Sequence, residues 1–264
     1  MADSRWLAQT ETVDCDDPHG SRILTSEDSA MTNQPSELPL PSIIQGGMGA
    51  GVSNWRLAKA VSSAGQLGVV SGTAIDVLLA RRLQEGDPTE ELRRALEQFP
   101  IPAMAERVTE SYFRPDGKPA SEPYWSKPIV GPRQSRRVTE LLVVANFVEV
   151  FLAKSGHDGL VGINFLHKIE APLLASIYGA MLAGVDAIII GAGVPLAIPE
   201  IIDRLARGEA VEHRLSVAGA SDGSDHKTTF DPNELFDGSA PALNRPMFFP
   251  IVSSTLLART MVTR

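Results

Sequence analysis

The chain has 264 residues, of which 43% are hydrophobic and 21% charged, and its formal net charge is -8 at pH 7. This composition is typical of a soluble globular protein, and the length is close to the roughly 250 residues of one α/β barrel. Binding to a nucleic-acid backbone needs a basic surface, so no nucleic-acid partner is expected. No apolar run reaches the ~20 residues of a membrane span, and no membrane partner is expected either.

The amino-terminal part of the chain predicts no folded structure. Residues 1–39 are rich in Asp, Glu, Ser, Thr and Pro, and we predict a disordered lead-in in which Cys15 and His19 are solvated. Cys15 is the single cysteine, which excludes an intramolecular disulfide and a cysteine-rich metal site. The chain opens Met-Ala-Asp-Ser, without the pattern of a signal peptide, and we expect a cytoplasmic protein.

Regular patterns begin at residue 41. Residues 42–45 predict a short apolar strand that breaks into a glycine-rich turn before a helix. Glycine permits positive φ and close backbone approach, and a strand end facing a helix start suits a flat, phosphorylated cofactor. The alternative is a tight turn without a ligand. The turn contains Gly46, Gly47, Gly49 and Gly51, and the following segments predict a helix over 54–64, a buried strand over 67–73 and a helix over 74–84.

The middle of the chain is less regular. Residues 87–97 predict a helix, and residues 99–137, rich in proline and aromatic residues, predict an insertion with some structure of its own or a lid. We expect its aromatic residues to serve packing and its three arginines to be solvated. Residues 138–155 predict a strongly apolar helix. The aromatic residues are Tyr112, Phe113, Tyr124 and Trp125, and the arginines are Arg133, Arg136 and Arg137.

The alternation of strands and helices then returns. A polar, glycine-rich surface excursion is predicted over 208–244, with His213 and His226 solvated. Strands are predicted over 159–165, 186–193 and 248–254, and helices over 171–183, 199–206 and 255–262.

Five strand-helix units with apolar strands predict an α/β fold with a parallel sheet. Small residues at the strand ends favour a (β/α)8 barrel of the TIM type, in which the carboxyl ends of the strands form the active face. The competing fold is an open, doubly wound sheet. Its nucleotide fingerprint needs Gly-x-Gly-x-x-Gly and an acid about 20 residues later, whereas no acid follows the second strand before Asp76.

Four stretches together resemble the nitronate monooxygenase family, formerly called 2-nitropropane dioxygenase, which is close to the flavin-type enoyl reductases. The similarity covers the framework from about residue 40 onward and is weakest over 99–137 and 208–244. The stretches are PSIIQGGMGAGVS at 41–53, LAKAVSSAG at 57–65, LGVVSGT at 67–73 and GINF at 162–165.

The resemblance implies an FMN-dependent TIM barrel. It places the glycine-rich turn against the isoalloxazine ring and the ends of the next strands around the same pocket. Fixed backbone donors there would stabilise the negative charge that develops on the ring. The implied cofactor-binding residues are Gly46, Gly47, Met48, Gly49, Gly72, Thr73, Asn164, Gly191 and Gly193.

A catalytic histidine is harder to place. The family carries it in a Gly-Gly-His-like turn after a later strand, and the resemblance implies that this turn is to be expected beyond Arg264. His157 in SGHDG precedes the third strand and is predicted to be a loop residue, whereas His167 follows that strand and is the candidate base. The spacing of His213 and His226 suggests no metal site.

Because only five units are found, the chain resembles an N-terminal portion of a barrel. We expect it to need further sequence or a second chain to close the sheet and to bind flavin fully. The leading function is oxidation of alkyl nitronates by O2 to a carbonyl compound and nitrite. The alternatives are an NAD(P)H-dependent enoyl reductase acting on an enoyl thioester, a cofactor-free phosphate-sugar barrel, and a catalytically inactive binding module.

Overall fold

From residue 55 the chain alternates between helices and strands, as the spacing of apolar runs predicts, except over residues 75–154, where four helices follow one another, and over residues 211–250, where three strands do. A computed structural model of the chain describes residues 41–217, 219, 226–236 and 238–262. They belong to one unit, Leu40–Arg264. The lead-in predicted over 1–39, with Cys15 and His19, lies outside the described residues.

The described helices and strands follow the predicted order, with additions in the two irregular regions. The helices are α1 (Trp55–Ser63), α2 (Ile75–Gln84), α3 (Glu91–Glu97), α4 (Pro102–Tyr112), α5 (Arg136–Lys154), α6 (Leu173–Leu182), α7 (Ile198–Ala206) and α8 (Thr255–Val262). The strands are β1 (Gly68–Ser71), β2 (Val161–Leu166), β3 (Ala187–Gly191), β4 (Val211–Arg214), β5 (Lys227–Phe230) and β6 (Met247–Pro250).

Side-chain caps explain where two helices begin. The Asn54 side chain accepts hydrogen bonds from the N–H groups of Arg56 and Leu57, which fixes the start of α1. The helix predicted from residue 87 begins only at Glu91. Asp87 has a φ of 44°, and its carboxylate accepts from the N–H groups of Leu92 and Arg93, so it precedes the helix instead of joining it.

Four strands form one parallel sheet in the order β1-β2-β3-β6. Ile44 adds an isolated parallel bridge to Leu67 beside β1, so the strand predicted over 42–45 is reduced to that bridge. The strands of this sheet therefore lie side by side in the order in which they occur in the chain, with β4 and β5 intervening in sequence between β3 and β6. The predicted α/β class with a parallel sheet is confirmed, and the carboxyl ends of these strands lie along one edge.

The two faces of this sheet differ in what covers them. Side chains alternate along each strand, and Val70, Ile163 and Ile188 enter a large apolar cluster with the buried residues of the helices. We call this side the helix face. The opposite side, the far face, carries a small cluster of Leu67, Val69, Ala187 and Ile189, against which Leu160, Met247 and Phe249 pack.

Helix α5 lies at the centre of the helix face. Every residue from Glu140 to Val150 is buried, which explains why this helix is apolar all round. Gly179 of α6 packs against it so closely that a Cβ there would lie 2.2 Å from the carbonyl oxygen of Val143. The backbones of α5 and α6 therefore approach each other directly.

Two carboxylates of α5 are buried and paired. Glu149 accepts a hydrogen bond from the N–H of Trp55 at 2.9 Å and pairs with Arg82 at 2.7 Å, which ties α1 and α2 to α5. Burial alone would raise the pKa of Glu140, but hydrogen bonds from Arg107 and Arg136 outweigh this effect and lower that pKa. Both carboxylates are thus paired with arginine side chains.

The insertion predicted over 99–137 contains α4. Pro102 stands at the start of this helix, a position that proline favours, and Val108 and Tyr112 are buried on its inner side. Tyr124 and Trp125 stay partly exposed and lie beneath the guanidinium groups of Arg81 and Arg114. The aromatic residues of this segment therefore pack within the chain.

The surface excursion predicted over 208–244 is wrong in part. Strands β4 and β5 form an antiparallel hairpin there, in which Val211 pairs with Phe230. Both side chains are buried in the cluster of the helix face, and the ring of Tyr178 lies 5.2 Å from that of Phe230. Alternation of buried and exposed side chains allows this polar segment to contribute to the core.

Helix α8 follows β6, as predicted. None of its residues is buried, and Leu256 and Val262 are 78% and 87% exposed. Within the described ranges, no helix combines the length and the apolar character that crossing a membrane requires.

Candidate functional site

The candidate site is the edge at which the parallel strands end. Because β1, β2, β3 and β6 run in the same direction, the segments that follow them meet at this edge. The glycine-rich turn after Ile44 lies there too, next to the end of β1. His157 precedes β2 and lies at the other edge, where its ring contacts the oxygen of Ala153 and the N–H of Gly159, and its predicted loop position is confirmed.

The turn over residues 45–53 is held by one hydroxyl group. Ser53 is buried, and its Oγ donates to the carbonyl oxygen of Gly46 at 3.0 Å and accepts from the N–H of Met48 at 2.9 Å. The side-chain amide of Gln45 donates to the same hydroxyl at 3.1 Å, while its oxygen accepts from the N–H of Val69. Ser53 and Gln45, which the sequence analysis did not select, therefore fix the turn on β1.

Glycine is required at two points of this turn. Gly49 and Gly51 have φ values of 62° and 74°, in the left-handed region that disfavours other residues. The hydroxyl of Ser71, at the end of β1, donates to the carbonyl oxygen of Gly49. The turn is thus anchored to the sheet at both its start and its middle.

Asn164 joins the turn to the centre of the sheet. Its side-chain N–H donates to the carbonyl oxygen of Gly47 at 2.9 Å, and a Cβ on Gly47 would lie 2.7 Å from the Cβ of Asn164. The other amide atom, Oδ1, is buried and has no hydrogen-bond partner among the described residues. A buried acceptor without a partner is costly and calls for an explanation at a functional site.

The other predicted glycines pack against protein side chains. A Cβ on Gly72 would lie 2.3 Å from the ring of Phe165, and one on Gly191 would lie 2.8 Å from Ile251. A Cβ on Gly193 would lie 2.5 Å from the ring of His167. The missing side chains at these three positions are therefore explained by packing within the chain, and the case for a ligand rests on the turn and Asn164.

His167 is held at the end of β2 but has its own neighbours. Its backbone N–H donates to the carbonyl oxygen of Gly191 at 2.8 Å, and its ring meets the ring of His213 edge-on, with 5.4 Å between the ring centres. The contacts of Asn164 are instead with Gly47 and Gly72. Both residues stand at the same edge, His167 toward the β4–β5 hairpin and Asn164 toward the turn.

His213 is buried, contrary to the prediction that it is solvated. Only 6% of its surface is exposed, and Nε2 has no partner within the described part of the chain. Burial lowers its pKa, the charge of His167 lowers it further, and Glu170 opposes the shift. In the sequence, Val211 and His213 alternate with the charged residues Glu212 and Arg214, and this alternation was the signal that could have identified a buried histidine. His226 is exposed, as predicted.

A metal centre finds no support in the described ranges, where no group of three or more His, Cys, Asp or Glu side chains is close enough to hold an ion.

The turn and Asn164 fit a flat ring that has both donors and acceptors along one edge. In the described part of the chain, the N–H groups of Gly46, Gly47 and Gly49 make no hydrogen bond, and Asn164 Oδ1 is an unused acceptor. The side chain of Met48 is 67% exposed beside them, which offers an apolar surface. These are the groups that a flavin ring would need.

No protein-family model matches the chain, and a search of curated proteins found no match.

Proposed function

We propose that the chain is an FMN-dependent oxidoreductase on a (β/α)8-type framework that oxidises alkyl nitronates. Parallel strands in chain order, with helices covering one face, are what a barrel of this type requires. Residues 46–49 and Asn164 then lie at the carboxyl ends of the strands, where such barrels place their sites.

The junction between Gly47 and Asn164 carries the proposal. Asn164 uses one amide hydrogen bond to fix the turn and presents its remaining oxygen without a partner. A ring with an N–H group would satisfy that oxygen, while the free N–H groups of Gly46 and Gly47 would donate to ring oxygen and nitrogen atoms. Donors fixed in advance stabilise developing negative charge without reorganisation.

FMN would supply the acceptor for the electrons of the substrate. The chain would orient it through Asn164, and His167 is the proposed group for proton transfer near the same edge. Its neighbour His213 meets the His167 ring edge-on, and burial lowers the pKa of His213.

FMN binding tests the proposal directly. Titration with FMN, followed by quenching of flavin fluorescence, is expected to show saturable binding. Gly47→Ala forces a Cβ against Asn164 and Val69 and is expected to weaken binding at least about tenfold, since overpacking displaces backbone. Gly131→Ala is the matched control, because a Cβ there meets nothing within 4 Å. Absence of quenching, or equal affinity in the two variants, would refute the proposal.

The reaction is tested by nitrite release from propyl-2-nitronate in the presence of FMN and O2. 2-Nitropropane, whose carbon must first lose a proton, is assayed alongside it. His167→Gln is expected to lower nitrite release from 2-nitropropane by about 10²-fold or more, as removal of a general base does, while FMN affinity and the rate with the already deprotonated nitronate stay unchanged. An unchanged rate with 2-nitropropane would remove His167 from the mechanism.

One feature favours the enoyl reductase as a second candidate. Ile169, just beyond His167, is 42% exposed and offers an apolar surface to an acyl chain. NAD(P)H would then bleach the bound flavin in the absence of O2, whereas a nitronate-oxidising enzyme would release nitrite without NAD(P)H.

A further inference from the structure

A groove of about 690 Å³ lies beside the candidate site. We call it the edge groove. Its volume falls within the range of roughly 300–1,000 Å³ that is usual for small-molecule sites. Four segments line it: residues 73–77 at the start of α2, residues 127–130, residues 168–172 after β2, and residues 215–217 after β4. Thr73 belongs both to the edge groove and to the residues implied in flavin binding.

Large apolar side chains stand exposed along the edge groove. Ile129 is 91% exposed, Val217 is 44% exposed and Ile169 is 42% exposed. They come from three separate segments that converge on one concave surface. Exposed apolar residues that converge in this way mark ligand-binding grooves more often than scattered single residues do.

The charged groups of the edge groove differ in whether they already have a partner. Lys127 pairs with Asp76 at 2.7 Å, and the Glu170 carboxylate accepts hydrogen bonds from the N–H and hydroxyl of Ser216 at 2.6 and 2.9 Å. Lys168 is exposed and has no ion pair among the described residues. The formal charges of Asp76, Lys127, Lys168 and Glu170 sum to zero. Of these four side chains, Lys168 alone has no partner among the described residues.

We propose that the edge groove binds a medium-chain aliphatic carboxylate, with the chain against Ile129, Ile169 and Val217 and the carboxylate at Lys168. The apolar walls select an aliphatic chain, and the unpaired ammonium group selects an anionic head. This goes beyond the flavin function and does not require it, because none of the three segments that supply the apolar walls includes the glycine-rich turn.

Calorimetric titration with hexanoate, octanoate and decanoate tests the apolar contact. Affinity is expected to rise with chain length, by up to about fourfold for each added methylene. Ile129→Asp is expected to weaken decanoate binding at least about tenfold. Leu256→Asp on α8, a matched change at a residue that is 78% exposed, is expected to leave it unchanged. Equal losses in both variants, or affinity independent of chain length, would overturn the proposal.

The head group is tested with Lys168. Lys168→Met is expected to weaken decanoate binding by up to about fivefold, the range of an exposed ion pair, and to leave decanol binding unchanged. Lys168→Arg keeps the positive charge and is expected to retain the decanoate affinity of the unaltered protein. Equal affinities for decanoate and decanol in the unaltered protein would overturn the assignment of the carboxylate. Decanoate binding by protein that takes up no FMN would support the edge groove while refuting the flavin proposal.

Discussion

The two faces of the parallel sheet differ in the kinds of side chain that they bury. On the helix face, strand side chains such as Ile163 and Ile188 are sealed beneath α5 and α6, and the buried charges there are paired. On the far face, a small apolar cluster lies below a polar network of Gln45, Ser53 and Asn164. The helix face contributes most of the buried apolar area, and therefore most of the stability.

Because of this difference, we expect the helix face to determine stability and the polar network of the far face to determine ligand binding. The apolar side chains and the ion pair of Glu149 on the helix face are satisfied within the fold, although Asn146, Tyr178 and His213 each keep one buried atom without a partner among the described residues. The polar network of the far face holds the turn in place but leaves an acceptor on Asn164 and donors on Gly46 and Gly47 unused. Changes on the helix face should therefore unfold the protein, whereas changes in the network should alter ligand binding first.

The largest effect is expected on the helix face. Glu149→Ala leaves the N–H of Trp55 without an acceptor and Arg82 without its counter-charge, at a site where the side chain of Glu149 is 4% exposed. Breaking a buried ion pair of this kind costs about 3 kcal/mol. Urea unfolding would measure the loss. Glu149→Gln keeps an acceptor for Trp55 and should lose less; equal losses would show that the hydrogen bond to Trp55 contributes nothing and that the whole effect comes from the charge.

A smaller effect is expected from His213. Its pKa is lowered in the folded state, so it stays neutral while the unfolded chain takes up a proton below its ordinary pKa of about 6.5. Stability should therefore be complete above that pH and fall as the pH drops below it, by no more than about 1.4 kcal/mol per pH unit. Urea unfolding at a series of pH values would measure this slope.

His213→Phe is expected to flatten that slope, because it removes the titrating ring and its unpartnered nitrogen. His226→Phe in the same hairpin is the control, since His226 is exposed. His167 and Glu170 are the titrating groups that act on His213, and both remain in either variant. A slope that persists in His213→Phe would assign it to other groups.

The smallest effect on stability is expected from Asn164→Ala. The variant loses a hydrogen bond to Gly47 but also removes a buried oxygen without a partner, so unfolding free energy should change by less than about 1 kcal/mol. FMN affinity should nevertheless fall at least about tenfold. Asn146 of α5 is a matched control, because it too has one bonded amide N–H and one unpartnered oxygen. Similar FMN affinities in Asn164→Ala and Asn146→Ala would contradict the assignment of binding to the far face.

Periodicity predicted most of the framework because the strands are buried on both faces and the helices are amphipathic or wholly apolar. The order of α1, β1, α2, β2, α6 and β3 followed from apolar runs bounded by glycine. Helix α4 was missed because the prolines around it obscured a start signal, Pro102, at its first turn. The hairpin was missed because His213 and Thr228 are polar residues at buried positions.

The candidate site was predictable in location but not in detail. The carboxyl ends of parallel strands meet by geometry, so Gly47, Asn164 and His167 were expected at one edge. The sequence could not show that Phe165 fills the space beside Gly72, or that Ser53 holds the turn. Those contacts depend on side chains that are far apart in the chain.

The order of the strands bears on how the protein is made. Each strand of the parallel sheet hydrogen-bonds to the strand of that sheet that precedes it in the chain, beginning with the bridge at Ile44. A nascent chain can therefore extend the sheet from the amino-terminal side onto strands that are already synthesised, although α2–α5 separate β1 from β2 and the β4–β5 hairpin separates β3 from β6. Folding should keep pace with translation, and variants that slow it should cluster in the earliest units.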